Sequence, residues 1–180
     1  MNRLAKFVLG SITVVHVASL FGCYRVSQYF GDGHLIDNGA LAATDRYVLN
    51  LGPIDLTQRG SKTFQIANLP EVNFVAGIEV SVTPKDRAII DKQLPNATVS
   101  IELSDPGGKV LFAKQSPLGT WTWSAPVGGH RTFVYGRGEP GTYFTPAPNT
   151  RYTLTLNILE PDRSQAKYTA QLVAKSSGWK

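Results

Sequence analysis

From Arg46 onward, apolar and polar residues alternate with a period of two, the repeat of a strand with one dry and one wet face. The clearest stretch is TRYTLTLNILE. It puts Tyr152, Leu154, Leu156 and Ile158 on one face and Arg151, Thr153, Thr155 and Asn157 on the other. VNFVAGIEVSV repeats the pattern, with Phe74, Ala76, Ile78, Val80 and Val82 against Asn73, Glu79 and Ser81. ATVSIELSD turns Val99, Ile101 and Leu103 inward and Thr98, Ser100 and Glu102 outward. Weaker runs of the same kind are RYVLNL, KTFQIA, KVLFAK, LGTWTWS, RTFVYG and KYTAQLVAK. Turn chemistry separates the runs, including DPGG at Asp105 to Gly108 and EPDRS at Glu160 to Ser164. One segment, PKDRAIIDKQLP, reads as a short helix between prolines, with Ile89 and Ile90 packing inward. Roughly nine short strands with frequent turns predict an all-β domain of two antiparallel sheets packed face to face, an immunoglobulin-like or jelly-roll-like β-sandwich. No fixed repeat points to a propeller or a solenoid.

The N-terminal part breaks this pattern. In MNRLAKFVLGSITVVHVASLFGC, Arg3 and Lys6 form a positive end, Phe7 to Leu20 an apolar centre, and small Gly22 precedes Cys23. That is the order of a secretory signal helix, in which the positive end stays behind while the apolar part enters the membrane. The apolar part is short against the roughly 20 residues of a comfortable span, and His16 interrupts it.

Leu20-Phe21-Gly22-Cys23 resembles the lipobox of bacterial lipoproteins, with Phe21 standing where a small or β-branched residue is usual. The resemblance implies lipid attachment to the Cys23 thiol, removal of residues 1–22 and acylation of the new amino terminus. Tyr24 rather than Asp follows the cysteine, which within that resemblance favours the outer membrane, facing the periplasm. The residues by themselves also admit an uncleaved single-pass anchor. Residues 24–45, YRVSQYFGDGHLIDNGALAATD, read as a polar tether with Gly and Asp breakers. The expected organisation is therefore a signal peptide over 1–22, a flexible tether over 23–45 and a sandwich over 46–180.

Composition agrees with this picture. A chain of 180 residues with 42% hydrophobic and 17% charged residues has room for one domain with a real core. The net charge of +5 does not mark a nucleic-acid binder. Arg3 and Lys6 belong to the signal, and the other basic residues are scattered, not gathered into a stripe. A single cysteine rules out an intramolecular disulfide.

Catalytic motifs are missing from the sequence. It has no Gly-x-Ser-x-Gly elbow, no His-Glu-x-x-His and no Gly-rich phosphate loop. Beyond the signal only His34 and His130 accompany Cys23, so neither a zinc site nor a Cys–His nucleophile is expected. DGHLIDNG offers Asp32, Asp37 and Asn38 as oxygen ligands but lacks the spacing of a calcium loop. Glu79, Glu102, Asp105, Glu139 and Asp162 sit on strand faces and turns that nothing in the sequence brings together. No metal, cofactor or enzymatic activity is expected.

The candidate contact residues lie in TWTWSAPVGGHRTFVYGRG and GEPGTYFTPAP: Trp121, Trp123, His130, Tyr135, Arg137 and Tyr143. Aromatics on a flat sheet can stack on sugar rings or anchor a protein partner. The same spacing also suits Trp121 and Trp123 as core residues, with Thr120, Thr122 and Ser124 facing water. Tyr143 and Phe144 read as a partner-binding tip or as a loop folded back over the sandwich end. The expected function is that of a membrane-anchored envelope lipoprotein with a non-enzymatic binding module, an assembly accessory or an immunity-type protein. A module for peptidoglycan or surface glycan is the alternative.

Overall fold

The computed structural model describes residues 29–38, 47–81, 95–123, 130–134, 143–164 and 167–176. Eleven strands follow in chain order: β1 (Phe30–Gly31), β2 (His34–Asp37), β3 (Tyr47–Ile54), β4 (Gly60–Ala67), β5 (Phe74–Ser81), β6 (Thr98–Ser104), β7 (Val110–Pro117), β8 (Thr122–Trp123), β9 (His130–Val134), β10 (Arg151–Glu160) and β11 (Thr169–Ser176). Each of the nine runs read from the alternation contains a strand, although LGTWTWS opens on a 3-10 turn and keeps only Thr122–Trp123. Apart from the strands, the regular structure among the described residues is that one 3-10 turn, Leu118–Thr120. The helix expected in PKDRAIIDKQLP falls, but for Pro95, outside the described residues.

Two antiparallel sheets pack against each other. The first has the order β1-β4-β10-β6-β7 and the second β2-β3-β11-β5-β9-β8. Alternation explains the layering. Along β10, Tyr152, Leu154, Leu156 and Ile158 are buried, while the residues between them are half-buried. They meet Ile101 and Leu103 of β6, Ile66 of β4, and Leu49, Ile78 and Leu172 of the second sheet in one continuous core. Each such residue removes apolar surface from both layers at once, which is the main favourable term in folding.

β3, β5, β7 and β10 begin at one end of the sandwich, where β4, β6 and β11 finish. We call this the upper end. Phe144 closes it. Its backbone exchanges two hydrogen bonds with Phe74, of 2.9 and 3.1 Å. Its ring stands edge-on to Phe74 at 5.7 Å and to Tyr152 at 5.0 Å, so it bridges the two sheets. The Tyr152 hydroxyl accepts from the Ala147 amide at 2.8 Å, holding the following loop against the same end. Of the two expectations for this loop, Phe144 follows the folded-back one.

The tether expected over 23–45 is shorter than the sequence suggests. Phe30 and Gly31 pair with Ala67 and Ile66 at the edge of the first sheet. After a turn at Asp32 and Gly33, His34 to Asp37 pair with Asn50 to Tyr47 at the edge of the second. This ribbon joins the edges of both sheets, well before Arg46. Asp32 secures the crossing: its amide donates to the Gln65 carbonyl at 2.8 Å and its carboxylate accepts from the Gln65 amide at 2.7 Å. Two glycines make the approach feasible. A Cβ on Gly33 would lie 2.3 Å from the Asn50 carbonyl oxygen, on a residue with φ of +87°. Gly33→Ala is therefore expected to cost about 1–3 kcal/mol through strain and clash. It should appear as a lower Tm with faster amide exchange confined first to His34–Asp37.

The opposite edge of the first sheet is β7. An unpaired edge invites pairing with other chains. Here Lys114 stands opposite Ile101, on the side of β7 that faces the core, and Pro117 ends the strand. Both features discourage edge-to-edge association.

Candidate functional site

The six candidate contact residues do not form one site. Trp121 is only 3% exposed and belongs to the core. Its indole Nε1 donates to the Ser116 hydroxyl at 2.8 Å, which satisfies the one polar group that burial would otherwise strand. This corrects the reading of Trp121 as a contact residue; it serves packing. Trp123 lies in β8 opposite Phe133, and His130 begins β9 opposite Ser81 near the lower end. Tyr143 stands at the other end of the sandwich and is 43% exposed. Tyr135, Arg137 and Cys23 lie outside the described residues.

The carboxylates are also kept apart. Glu102 lies on the outer face of the first sheet and Glu79 on that of the second. Asp105 sits in the upper β6–β7 turn, where its Oδ1 accepts from the amides of Gly107 and Lys109, each at 2.9 Å. Asp162 sits near the lower end and is buried. Glu139 lies outside the described residues. Among the described residues, no three His, Cys, Asp or Glu side chains gather where they would hold a metal ion.

The two outer faces differ in kind. On the second sheet a polar chain crosses three strands. Asn50 Nδ2 donates to Gln171 at 2.8 Å, Gln171 Nε2 to Glu79 at 2.7 Å, and Lys175 Nζ to Glu79 at 2.9 Å. Glu79 and Lys175 side chains are 16% and 14% exposed, and Val75 and Val173 on the same side are buried. That side is not an open surface.

The outer face of the first sheet is open. Registry aligns its side chains in rows across four strands. Thr63, Thr155, Glu102 and Ala113 make one row; Ser61, Asn157, Ser100 and Gln115 make the next; Gln65, Thr153 and Ser104 make a third. Strand and residue spacings make this a patch of roughly 15 by 13 Å. Its groups are hydroxyls and amides, with Glu102 the one charge in these rows. Gln65 Nε2 donates to the Thr153 hydroxyl at 3.1 Å and Asn157 Nδ2 to the Ser100 hydroxyl at 3.0 Å, which fixes two of the amides in place. Sequence reading assigned Thr153, Thr155, Asn157, Ser100 and Glu102 to solvent one strand at a time and left the facing residues of β4 and β7 unassigned. Their alignment depends on pairing between distant strands, and no local pattern announces it.

A groove of about 380 Å³ opens at the lower end between Pro53–Thr57 and Lys167–Ala170. Asp55 lies at its rim, its carboxyl held below the usual range by hydrogen bonds from the Thr57 hydroxyl and amide. Beneath it, Asp162 accepts four hydrogen bonds. The Tyr168 and Ser164 hydroxyls reach Oδ2, and the amides of Ser164 and Asn96 reach Oδ1 at 3.0 and 3.2 Å. Burial alone would raise the Asp162 pKa, but the four donors outweigh it and lower it. The Tyr168 hydroxyl is pushed up, first by burial and then by its bond to Asp162. With both oxygens saturated, Asp162 is a clasp between three segments and has no free lone pair to offer a substrate.

No protein-family model matches this chain, and no curated protein matches it. No helix among the described residues is long and apolar enough to cross a membrane.

Proposed function

We propose that this chain is a bacterial envelope lipoprotein, acylated at Cys23, whose sandwich is a non-enzymatic binding module. The bound partner is another envelope protein, and its seat is the outer face of the first sheet. One observation carries the binding part: this face is open and its central rows hold a single charge, Glu102, whereas the outer side of the second sheet is closed. Rows of hydroxyls and amides with fixed orientation suit a partner that supplies matching polar groups, since misaligned ones would be left unpaired on burial. The lipobox supports the anchoring part, with Tyr24 favouring the outer membrane.

A photo-crosslinking residue placed in cells at Thr63, Thr155 or Gln115 should give one discrete adduct. Absence of an adduct at all three positions would overturn the assignment of this face. Thr155→Arg puts a bulky charge at the centre of the patch. It is expected to weaken the partner at least about tenfold, since an unpaired charge at an interface costs more than 1.4 kcal/mol, with no change in Tm.

The glycan reading retains one favourable observation, the exposed Tyr143, which stands at the upper end. Titration with peptidoglycan fragments, followed by amide shifts around Tyr143 and along β10, separates the two. Saturable shifts on Tyr143 to Thr145, beside the exposed ring, would favour the glycan.

A further inference from the structure

Among the described residues four large apolar side chains are exposed, Phe30, Ile36, Val110 and Tyr143, at 43–58%. They lie around the rim of the upper end, Phe30 and Val110 on the outer side of the first sheet and Ile36 on that of the second. Phe30 pairs with Ala67 at the last step of β4. Ile36 pairs with Val48, next to the start of β3. Val110 opens β7 opposite Ser104, and Tyr143 precedes the Phe144 bridge to Phe74. Among the described residues the lower end carries none of them. Exposed apolar residues scattered singly need no explanation, but their confinement to one end does.

The chain enters the fold at this same end. Tyr29 packs against the core, and its hydroxyl donates to the Asp32 carbonyl at 2.5 Å. The sandwich therefore begins six positions after Cys23, and six residues reach at most about 20 Å when fully extended. β10 alone, ten residues long, spans about 33 Å from end to end. A lipid on Cys23 thus keeps the upper end within about 20 Å of the bilayer, close enough to touch it.

We infer that the upper end of the sandwich is a membrane-docking surface, with Phe30, Ile36, Val110 and Tyr143 seated in the headgroup interface of the bilayer that holds the anchor. The inference rests on the lipoprotein reading above. An aromatic ring with a hydroxyl, as in Tyr143, and mixed apolar side chains suit the interfacial layer, where one side of the group is apolar and the other wet. Exposed Lys109, next to Val110, and Arg151, opposite Ala67, meet anionic headgroups, with Asp105, Glu71 and Asp37 at the same end. Each side chain is worth little alone. The anchor holds them at high local concentration, so weak contacts suffice to orient the domain.

The test uses the full-length protein, purified with its native N-terminal modification and reconstituted in phosphatidylethanolamine–phosphatidylglycerol vesicles containing a headgroup spin label. Acylation of Cys23 leaves an introduced cysteine as the unique thiol, so Val110→Cys and Thr57→Cys report the upper and lower ends through an attached fluorophore. The dye at 110 should be quenched several-fold more than the dye at 57. In a protein that also carries Phe30→Ser, Ile36→Ser and Tyr143→Ser, this contrast should fall while the protein still sediments with the vesicles. Equal quenching at both positions, in protein whose acylated Cys23 is verified by mass, overturns the docking surface and leaves the anchor standing. An unmodified Cys23 overturns both.

Discussion

Asp162→Ala is expected to destabilise the domain by about 3–4 kcal/mol, because several buried donors lose their acceptor together at about 1–3 kcal/mol each, with partial relaxation. Against a typical total of about 5–15 kcal/mol this is a large fraction. The Tyr168 hydroxyl and the amides of Ser164 and Asn96 would remain at a site where the native residue is only 4% exposed. The loss should not stay local. The Asp162 amide donates to the Leu56 carbonyl at 2.7 Å, and the Arg163 amide to Asn96 Oδ1 at 3.2 Å. The clasp therefore ties the β3–β4 turn, the approach to β6 and the β10–β11 connection into one unit, and urea unfolding should show the whole domain shifting to a lower midpoint. Asp162→Asn keeps the shape and one acceptor and should lose roughly half as much. The pH dependence has a definite sign. The folded carboxyl is held below its ordinary value, so its contribution is complete above that value and disappears as the pH falls through the depressed one. The stability gap between the native protein and Asp162→Asn should accordingly be widest near neutrality and close in acid. A gap independent of pH would contradict the role given to the ionised clasp.

The alternation in β10, β5 and β6 was sufficient to place their inward and outward residues, because a strand in a sandwich core has one dry side and a period of exactly two residues leaves no ambiguity of face. Strand order was not legible. β10 lies between β4 and β6, and β11 between β3 and β5, and such pairing is decided by contacts between residues far apart in sequence. The ribbon of β1 and β2 escaped for another reason. Two and four residues are too few to establish a period, and glycine on either side of Asp32 resembles tether chemistry. The one signal was apolar Phe30 on one side of Gly31-Asp32-Gly33 and Leu35 and Ile36 on the other, the arrangement of a turn between two strands. Asp162 was visible as a turn residue. Its burial was not, since that depends on Leu56 and Asn96 closing over it. Trp121 shows the limit of reading aromatics as ligands: Thr120 and Ser116 beside it already described a side chain going inward, with a hydroxyl at hand for its indole.

The two ends of the sandwich thus have separate physical characters. Among the described residues the upper one carries the exposed apolar side chains and the chain entry, and the lower one carries the groove and the saturated clasp. Between them lies the open hydroxyl and amide face, parallel to the strands. In a domain held upright by its upper end, that face stands perpendicular to the bilayer, accessible to a partner approaching along the membrane.

Cys23→Ser is expected to abolish the acylated mature form altogether, since the serine hydroxyl does not replace the thiol that receives the lipid. Mass spectrometry of the native protein should show residues 1–22 removed and Cys23 carrying the mass of more than one acyl chain. A single chain binds a bilayer only marginally, and each buried CH₂ adds about 0.8 kcal/mol, so at least two chains are required for permanent residence. The Cys23→Ser protein should show neither the cleavage nor the added mass. An uncleaved single-pass anchor makes the opposite forecast: Met1 intact and Cys23 unmodified in the native protein, and no difference in the variant. The length of the link supplies a further distinction. Inserting about 20 flexible Gly and Ser residues between Tyr24 and Tyr29 extends the maximal reach from about 20 Å to more than 80 Å. Acylation and sedimentation with membranes should be unaffected, because the lipobox and the acyl chains are untouched. The quenching contrast between positions 110 and 57 should shrink, because the upper end would no longer be confined to the bilayer surface. A contrast that survives the longer link would mean that the four apolar side chains hold the domain upright without help from the short tether.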